Sequence, residues 1–336
     1  MKDPDKYKKV MIAGASGMVG NAIKRAYLSF EKQNNKTFEI LTPSRRELNL
    51  LNFQEVLNWF KKNNPDIVIL AAAKVGGILA NKNNPSDFIL ENLKIQNNLI
   101  EISNKFKVEK FLFLGSSCIY PKFSNQPITE EELLSGNLEK TNQYYAIAKI
   151  AGIKLCEALA IQEGFNAICL MPTNLYGPGD NYHEYNSHVL PALIKKFSEA
   201  KIQNLKKVIC WGDGTPLREF LYVDDLAEAC IFAIENLNQS SENFPKDKDG
   251  NPLFWINVGS NKEISIKDLA LLIAKLVGYR GLILWDKKMP NGTPRKKLDT
   301  SILDKMGWSS KTNLEEGIKL TLKAYNKELE QNKLRI

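Results

Sequence analysis

Short apolar runs alternate with amphipathic stretches through the first half of the chain. Residues 9–13 (KVMIA), 38–42, 66–72, 111–114 (FLFL) and 167–171 read as strands, rich in Val, Ile, Leu and Phe and bounded by polar or glycine-containing segments. Between them, residues 19–30, 54–62, 86–106 and 145–163 repeat their apolar side chains at helical spacing. Strands that are apolar along most of their length are buried on both faces. Strand–helix alternation of this kind predicts an α/β protein with a Rossmann-type, doubly wound parallel sheet. Past Pro172 the pattern changes. Residues 176–183 are rich in Gly, Pro and Asn and read as a loop, and 240–252 as a polar surface loop. Helical spacing returns at 188–199, 224–235 and 265–276, and 257–259 ends a short strand. No internal repeat is visible. The predicted plan is a larger domain over residues 1–172, with segments near 219–260 returning to it, and a smaller C-terminal lobe over 173–330.

Composition narrows this picture. A chain of 336 residues is long for one core, which favours two lobes. Hydrophobic residues at 43% and charged residues at 25% are ordinary for a soluble globular protein, so disorder is expected only at the ends. The opening stretch MKDPDKYKK is charged and lacks the apolar centre of a signal peptide, and no apolar run has membrane-spanning length. Cys118, Cys156, Cys169, Cys210 and Cys230 are odd in number and without paired spacing, which argues against a disulfide framework or a metal site. The expectation is a cytoplasmic protein without membrane partners. The net charge of +8 is scattered, with no basic block interleaved with aromatics, so nucleic acid is not the expected partner, while phosphate-bearing small molecules remain compatible.

The candidate chemistry starts at Gly14-Ala15-Ser16-Gly17-Met18-Val19-Gly20, a GxxGxxG run after a strand and before a helix. Glycines there allow a tight turn and close approach of a pyrophosphate, which meets free N–H groups at the helix N-terminus. The glycines alone also suit an ordinary strand-to-helix turn; the flanking elements favour a dinucleotide site. The second strand is followed by Thr42-Pro43-Ser44-Arg45-Arg46, with no acidic residue to hold a ribose 2′-hydroxyl. A guanidinium fits a 2′-phosphate, so NADP(H) is the expected cofactor and Arg45 its candidate ligand, against the plainer reading of two solvated arginines.

Tyr145 and Lys149 form YxxxK at the start of a helix, four residues apart and so on one face. A lysine there can favour the tyrosine's phenolate, and such a tyrosine can exchange a proton with a carbonyl or alcohol oxygen while a nicotinamide exchanges hydride. Ser116 follows a buried strand at the carboxyl edge of the sheet, where open α/β sheets place ligands. These features resemble the extended short-chain dehydrogenase/reductases. Longer segments, AAAKVGGILAN (71–81), FLGSSCIYPK (113–122), YAIAKIAGIKLCE (145–157), MPTNLYGP (171–178), NSHVLPAL (186–193), WGDGTPLREFLYVDD (211–225) and GTPRK (292–296), are similar to those of the GDP-L-fucose synthase family, over about residues 8 to 330.

The resemblance implies epimerisation at C3 and C5, then C4 reduction, of a GDP-linked 4-keto-6-deoxy sugar by a homodimer paired through two helices of the cofactor domain. It implies Ser116, Tyr145 and Lys149 for reduction and Cys118 with His188 for epimerisation. A cysteine needs an electropositive setting to act as a base, which cationic His188 or Lys149 could supply. Without the resemblance, Cys118 reads as a small buried residue and His188 as a helix cap or core histidine. The family pattern further puts Leu114, Lys149, Pro172, Asn174, Leu175 and His188 at the cofactor. It puts Asn174, Val189, Lys196, Trp211, Arg218, Asn291 and Lys296 at the substrate. Trp211 suits the guanine or sugar ring, with core packing as the alternative. Arg218 suits the diphosphate, with an ion pair to Asp224 or Asp225 as the alternative. Asn291 stands where the family often has Asp, and Lys196 where Arg is common. A C4 reductase of a related GDP-linked heptose, without epimerisation, is the nearest alternative. A non-catalytic NADP sensor is the alternative from another class, and it would give no reason for Ser116, Tyr145 and Lys149 to occur together.

Overall fold

The structure, a computed structural model, describes residues 8–184, 186–289 and 291–336. The charged residues 1–7 of the opening stretch lie outside these. In chain order the first elements are β1 (Lys8–Ala13), α1 (Met18–Asn34), β2 (Phe38–Leu41), α2 (Phe53–Asn63), β3 (Ile67–Leu70), α3 (Ile78–Asn83), α4 (Pro85–Lys105) and β4 (Lys110–Leu114). Then follow α5 (Gln143–Glu163), β5 (Ala167–Pro172), β6 (Asn174–Tyr176), α6 (Val189–Ile202), β7 (Lys207–Trp211), β8 (Leu217–Tyr222) and α7 (Val223–Asn236). The last are β9 (Trp255–Val258), β10 (Glu263–Ser265), α8 (Ile266–Val277), β11 (Leu282–Asp286), β12 (Arg295–Lys296), α9 (Ser301–Lys305) and α10 (Leu314–Glu330).

Six strands make one parallel sheet in the order β2-β1-β3-β4-β5-β9. The inner strands β3, β4 and β5 are buried along their whole length, as their unbroken apolar sequences require. The chain turns back on itself after β2, and right-handed crossovers then place α1 opposite α2, α4 and α5. α1 packs against α7, and α4 against both α5 and α2. The fold is the predicted doubly wound α/β sheet. The turn between β1 and α1, the end of β4 and the start of α5 all gather at the sheet's carboxyl edge.

A second hydrophobic cluster lies apart from the sheet. Leu190, Ile194 and Phe197 of α6 meet Leu269 and Ile273 of α8 and Ile318 of α10. Beside it β8 is flanked by antiparallel β10, and by parallel β12 and β6 at successive registers. β7 and β11 form a separate parallel pair. Buried Glu219 ties these parts together: its carboxylate accepts the Asn261 N–H at 2.7 Å and the Leu298 N–H at 3.0 Å, and its carbonyl accepts the Asn174 amide at 2.8 Å. The strands β6, β7, β8, β11 and β12 and the helix α10 were not anticipated from the sequence, and 176–183 is a loop only beyond Tyr176, which ends β6.

Candidate active site

The glycine turn is built for close approach. Gly14 has φ +91°, and a Cβ there would meet the Ala72 nitrogen at 2.7 Å; at Gly20 it would fall 2.3 Å from the Gly14 carbonyl oxygen. Gly17 stands at the N-cap of α1, with no side chain capping the helix and no acidic residue in its first turn. Ala15, Ser16, Met18 and Val19 keep some accessible surface there. The backbone N–H groups of this turn are therefore open to an anion. After β2, Arg45 and Arg46 are exposed and make no ion pair among the described residues. The nearest carboxylate, Glu47, folds back to accept the Ser44 N–H at 2.7 Å, a bond that lowers its pKa.

At the end of β4, Ser116 caps a short 3-10 turn, accepting the Cys118 N–H at 3.3 Å. Tyr145 lies in the first turn of α5, its ring edge-on to Phe88 of α4 with centroids 6.4 Å apart. Burial raises the Tyr145 pKa well above the ordinary phenol value; the charge of an ionised Cys118 raises it further, and a hydrogen bond with the Ser116 side chain works the other way. The Lys149 ammonium donates to the Leu114 carbonyl at 2.8 Å and lies 4.6 Å from the Phe113 ring centroid and 5.8 Å from that of Tyr145. Burial brings the Lys149 pKa down to about 8. Desolvation thus works against the phenolate that the neighbouring lysine charge would favour.

His188 immediately precedes α6 and its side chain makes no cap hydrogen bond. Gly77 positions this segment: its N–H donates to the Asn186 carbonyl at 2.9 Å, and a Cβ there would meet the Ser187 carbonyl oxygen at 2.6 Å. The imidazole keeps an accessible face although dense protein surrounds it, as in the wall of a cleft. That surrounding protein, with the charge of Lys296, lowers its pKa. The cation in contact with Cys118 is Lys296, with its ammonium 3.5 Å from the sulfur. Cys118 is half-buried, and the other four cysteines are buried.

The remaining candidates divide. Arg218 is not paired with Asp224, which binds Arg25, or with Asp225, which accepts from Thr312. Burial lowers the Arg218 pKa, while the charges of Cys118 and Glu139 favour its ionised form, so its guanidinium faces the same cleft. Trp211 ends β7 and is 41% exposed, which removes the core-packing alternative. Val189 opens α6 and touches the second cluster. Lys196 donates to the Ile209 carbonyl at 2.8 Å, Asn174 is engaged by Glu219, and the Asn291 side chain accepts the Asp213 N–H at 3.0 Å. Pro172 ends β5 and Leu175 lies in β6. The sequence reading missed Lys122, Glu139 and Asn142, which line the cavity at Cys118 with Lys296. Lys122 lies within the FLGSSCIYPK segment and could have been found there; nothing local marks the other two.

The model of the NAD dependent epimerase/dehydratase family matches residues 10–244. A probable GDP-L-fucose synthase 1 of Oryza sativa subsp. japonica is 50% identical over 96% of this chain and 93% of its own. The GDP-L-fucose synthase of Escherichia coli K12 is 49% identical over 94% and 95%. The structure of a GDP-mannoheptose C4 reductase from Campylobacter jejuni with NADP bound superposes with a TM-score of 0.81 at 35% identity, covering 95% of this chain and 98% of that one. The chain belongs to the NAD dependent epimerase/dehydratase family and, within it, is a homologue of the GDP-L-fucose synthases.

Proposed function

We propose that the chain is an NADPH-dependent epimerase/reductase of a GDP-linked 4-keto-6-deoxy sugar. The observation that carries this reading is the meeting of two proton-handling sets in one cleft: Cys118 acts electrostatically on the Tyr145 phenol, and Lys296 reaches both the Cys118 sulfur and the field of His188. A reductase alone needs only the first set.

The residues present fit a dinucleotide. Gly14 and Gly20 leave a cradle that any Cβ would fill. The uncapped first turn of α1 suits its pyrophosphate, and the exposed guanidinium of Arg45 suits a 2′-phosphate. Leu114, Pro172, Asn174 and Leu175 are assigned to the cofactor side, with Lys149. When bound, the dinucleotide supplies the hydride for C4. Tyr145, protonated, donates a proton to the C4 oxygen, and Ser116 orients that oxygen. Cys118 takes a proton from a carbon beside the ketone. His188 draws a proton from solvent at its open face and returns it on the other side; its depressed pKa makes the imidazolium a strong donor once formed. The smaller lobe holds the nucleotide sugar, with Arg218 at the diphosphate, Trp211 at a ring, and Val189, Lys196 and Asn291 shaping the pocket.

The second reading is C4 reduction of a GDP-heptose without epimerisation, favoured by the likeness to the Campylobacter reductase. Incubation with GDP-4-keto-6-deoxy-mannose in heavy water, with oxidised cofactor or none, separates the two. Deuterium at C3 or C5, followed by NADPH oxidation and a fucose-configured product, is expected. NADPH oxidation without deuterium would leave the reductase reading standing alone.

A further inference from the structure

We propose that Lys296 is the positioning cation of the proton-transfer pair, holding Cys118 as a thiolate before substrate arrives. The inference rests on the epimerase half of the function proposed above. Lys296 was singled out from the sequence as a substrate ligand, but its contact in the structure is the Cys118 sulfur, at 3.5 Å.

The backbone fixes this contact. Lys296 pairs with Arg218 of β8, and the two following N–H groups are held by Gln126 at 2.8 Å and by Glu219 at 3.0 Å. Neighbouring strand residues point to opposite sides. Arg295 accordingly turns to Glu263, which it grips with two bonds of 2.9 and 2.7 Å, and Lys296 turns toward Cys118. No carboxylate pairs with Lys296 among the described residues. The other charged or titratable groups facing Cys118 are Tyr145 from α5, Arg218 from β8 and the cavity-lining Lys122, Glu139 and Arg295. Lys122 is paired with Glu139 at 2.7 Å, Arg295 with Glu263, and Arg218 donates to the Leu217 carbonyl at 2.8 Å. Arg218 therefore keeps its charge and acts on Cys118 from a distance, while Lys296 is the cation whose contact with the sulfur is seen among the described residues.

One charge then acts on two groups in opposite senses. It favours the thiolate and disfavours the imidazolium, because an ammonium stabilises an anion and opposes a second cation. The contact thus sets the sulfur up as the base of the pair. In the step this prepares, the S–H bond forms as the C–H bond beside the ketone breaks. The electron pair moves to the ketone oxygen as an enolate, so no oxidant or reductant is required.

The test uses the free enzyme. Cys118 is the one cysteine that is not buried, so alkylation by iodoacetamide reports its thiolate. In Lys296→Met the alkylation rate near neutral pH should fall about tenfold and its pH midpoint should rise by about one unit. Lys296→Arg should restore most of the rate. The imidazole resonances of the chain's two histidines are few enough to follow by NMR, and His188 should titrate higher in the Met variant. Lys296→Gln, with folding checked by circular dichroism, repeats the test if Met is not tolerated. An alkylation profile unchanged in both neutral variants overturns the proposal, and a raised KM with that unchanged profile would mark Lys296 as a substrate ligand alone. Failure of the functional reading looks different: the native enzyme would exchange no deuterium into the 4-keto sugar while the thiol titration still moved.

Discussion

Burial opposes ionisation of a phenol, and Tyr145 is buried in the first turn of α5, with the Lys149 ammonium shared between the Leu114 carbonyl and the face of its ring. A protonated phenol is the right state for a donor in ketone reduction. Tyr145→Phe keeps the ring against Phe88 and removes the proton, so turnover should fall about a hundredfold or more while NADPH still binds, as read by cofactor fluorescence. Near-native turnover would take the proton donor's role from Tyr145. Ser116, Tyr145 and Lys149 were legible in the sequence because each belongs to a short local pattern, a strand end or one helix turn. The electrostatics were not. How Lys149 divides its charge between the Leu114 carbonyl and the Tyr145 ring depends on where β4 ends relative to α5, and the cation at Cys118 comes from 178 residues away, on a two-residue strand with no periodicity to read.

At the scale of elements, legibility followed length and burial. The strands of the parallel sheet announce themselves because both faces are apolar. β7 alternates exposed and buried residues and has Lys207 and Trp211 at its ends, and β8 begins within a Gly/Pro-containing segment, so their strand character comes from pairing rather than composition. α10 carries its apolar residues on one stripe among many charges and was passed over. Some of what joins elements is polar and buried. Glu130 accepts the Asn257 N–H of β9 at 2.8 Å, and burial raises its pKa from the ordinary 4.5 to about 7. The folded protein thus binds this proton more tightly than the unfolded chain, so stability is fullest below about pH 4.5 and is lost as pH rises toward 7. That shift corresponds to roughly 3 kcal/mol at most. Glu130→Gln keeps an oxygen for the Asn257 N–H and removes the charge. Thermal midpoints measured between about pH 5 and pH 8 should fall less steeply in the variant than in the native protein. Parallel slopes would mean that Glu130 ionises without cost to the fold.

On the scale of the whole molecule, the sheet and the second cluster account for most apolar surface, and one helix stands out against them. α5 buries Ala148, Ile153, Cys156 and Ala160. On its opposite side Tyr144, Ile147, Ala151, Ala158 and Ile161 are exposed at helical spacing, a stripe interrupted only by Lys154, whose charge is paired with Glu157 at 2.7 Å. A helix apolar on both faces is one that packs on both. Small residues at the middle of the stripe allow a second helix to approach closely, and a two-fold axis would set the same stripe of another copy against it. We propose that this stripe is the contact of the homodimer that the sequence resemblance implied, with Tyr145 and Lys149 on the other side of the helix. The native protein should sediment as a dimer. Ala151→Glu and Ile161→Glu should each weaken it, since a carboxylate at a two-fold contact meets its own copy in an apolar setting. Each variant should still bind NADPH, because neither residue touches the cleft. Sedimentation equilibrium decides the matter: a native monomer, or a dimer indifferent to both substitutions, would place the interface elsewhere and leave this stripe unexplained.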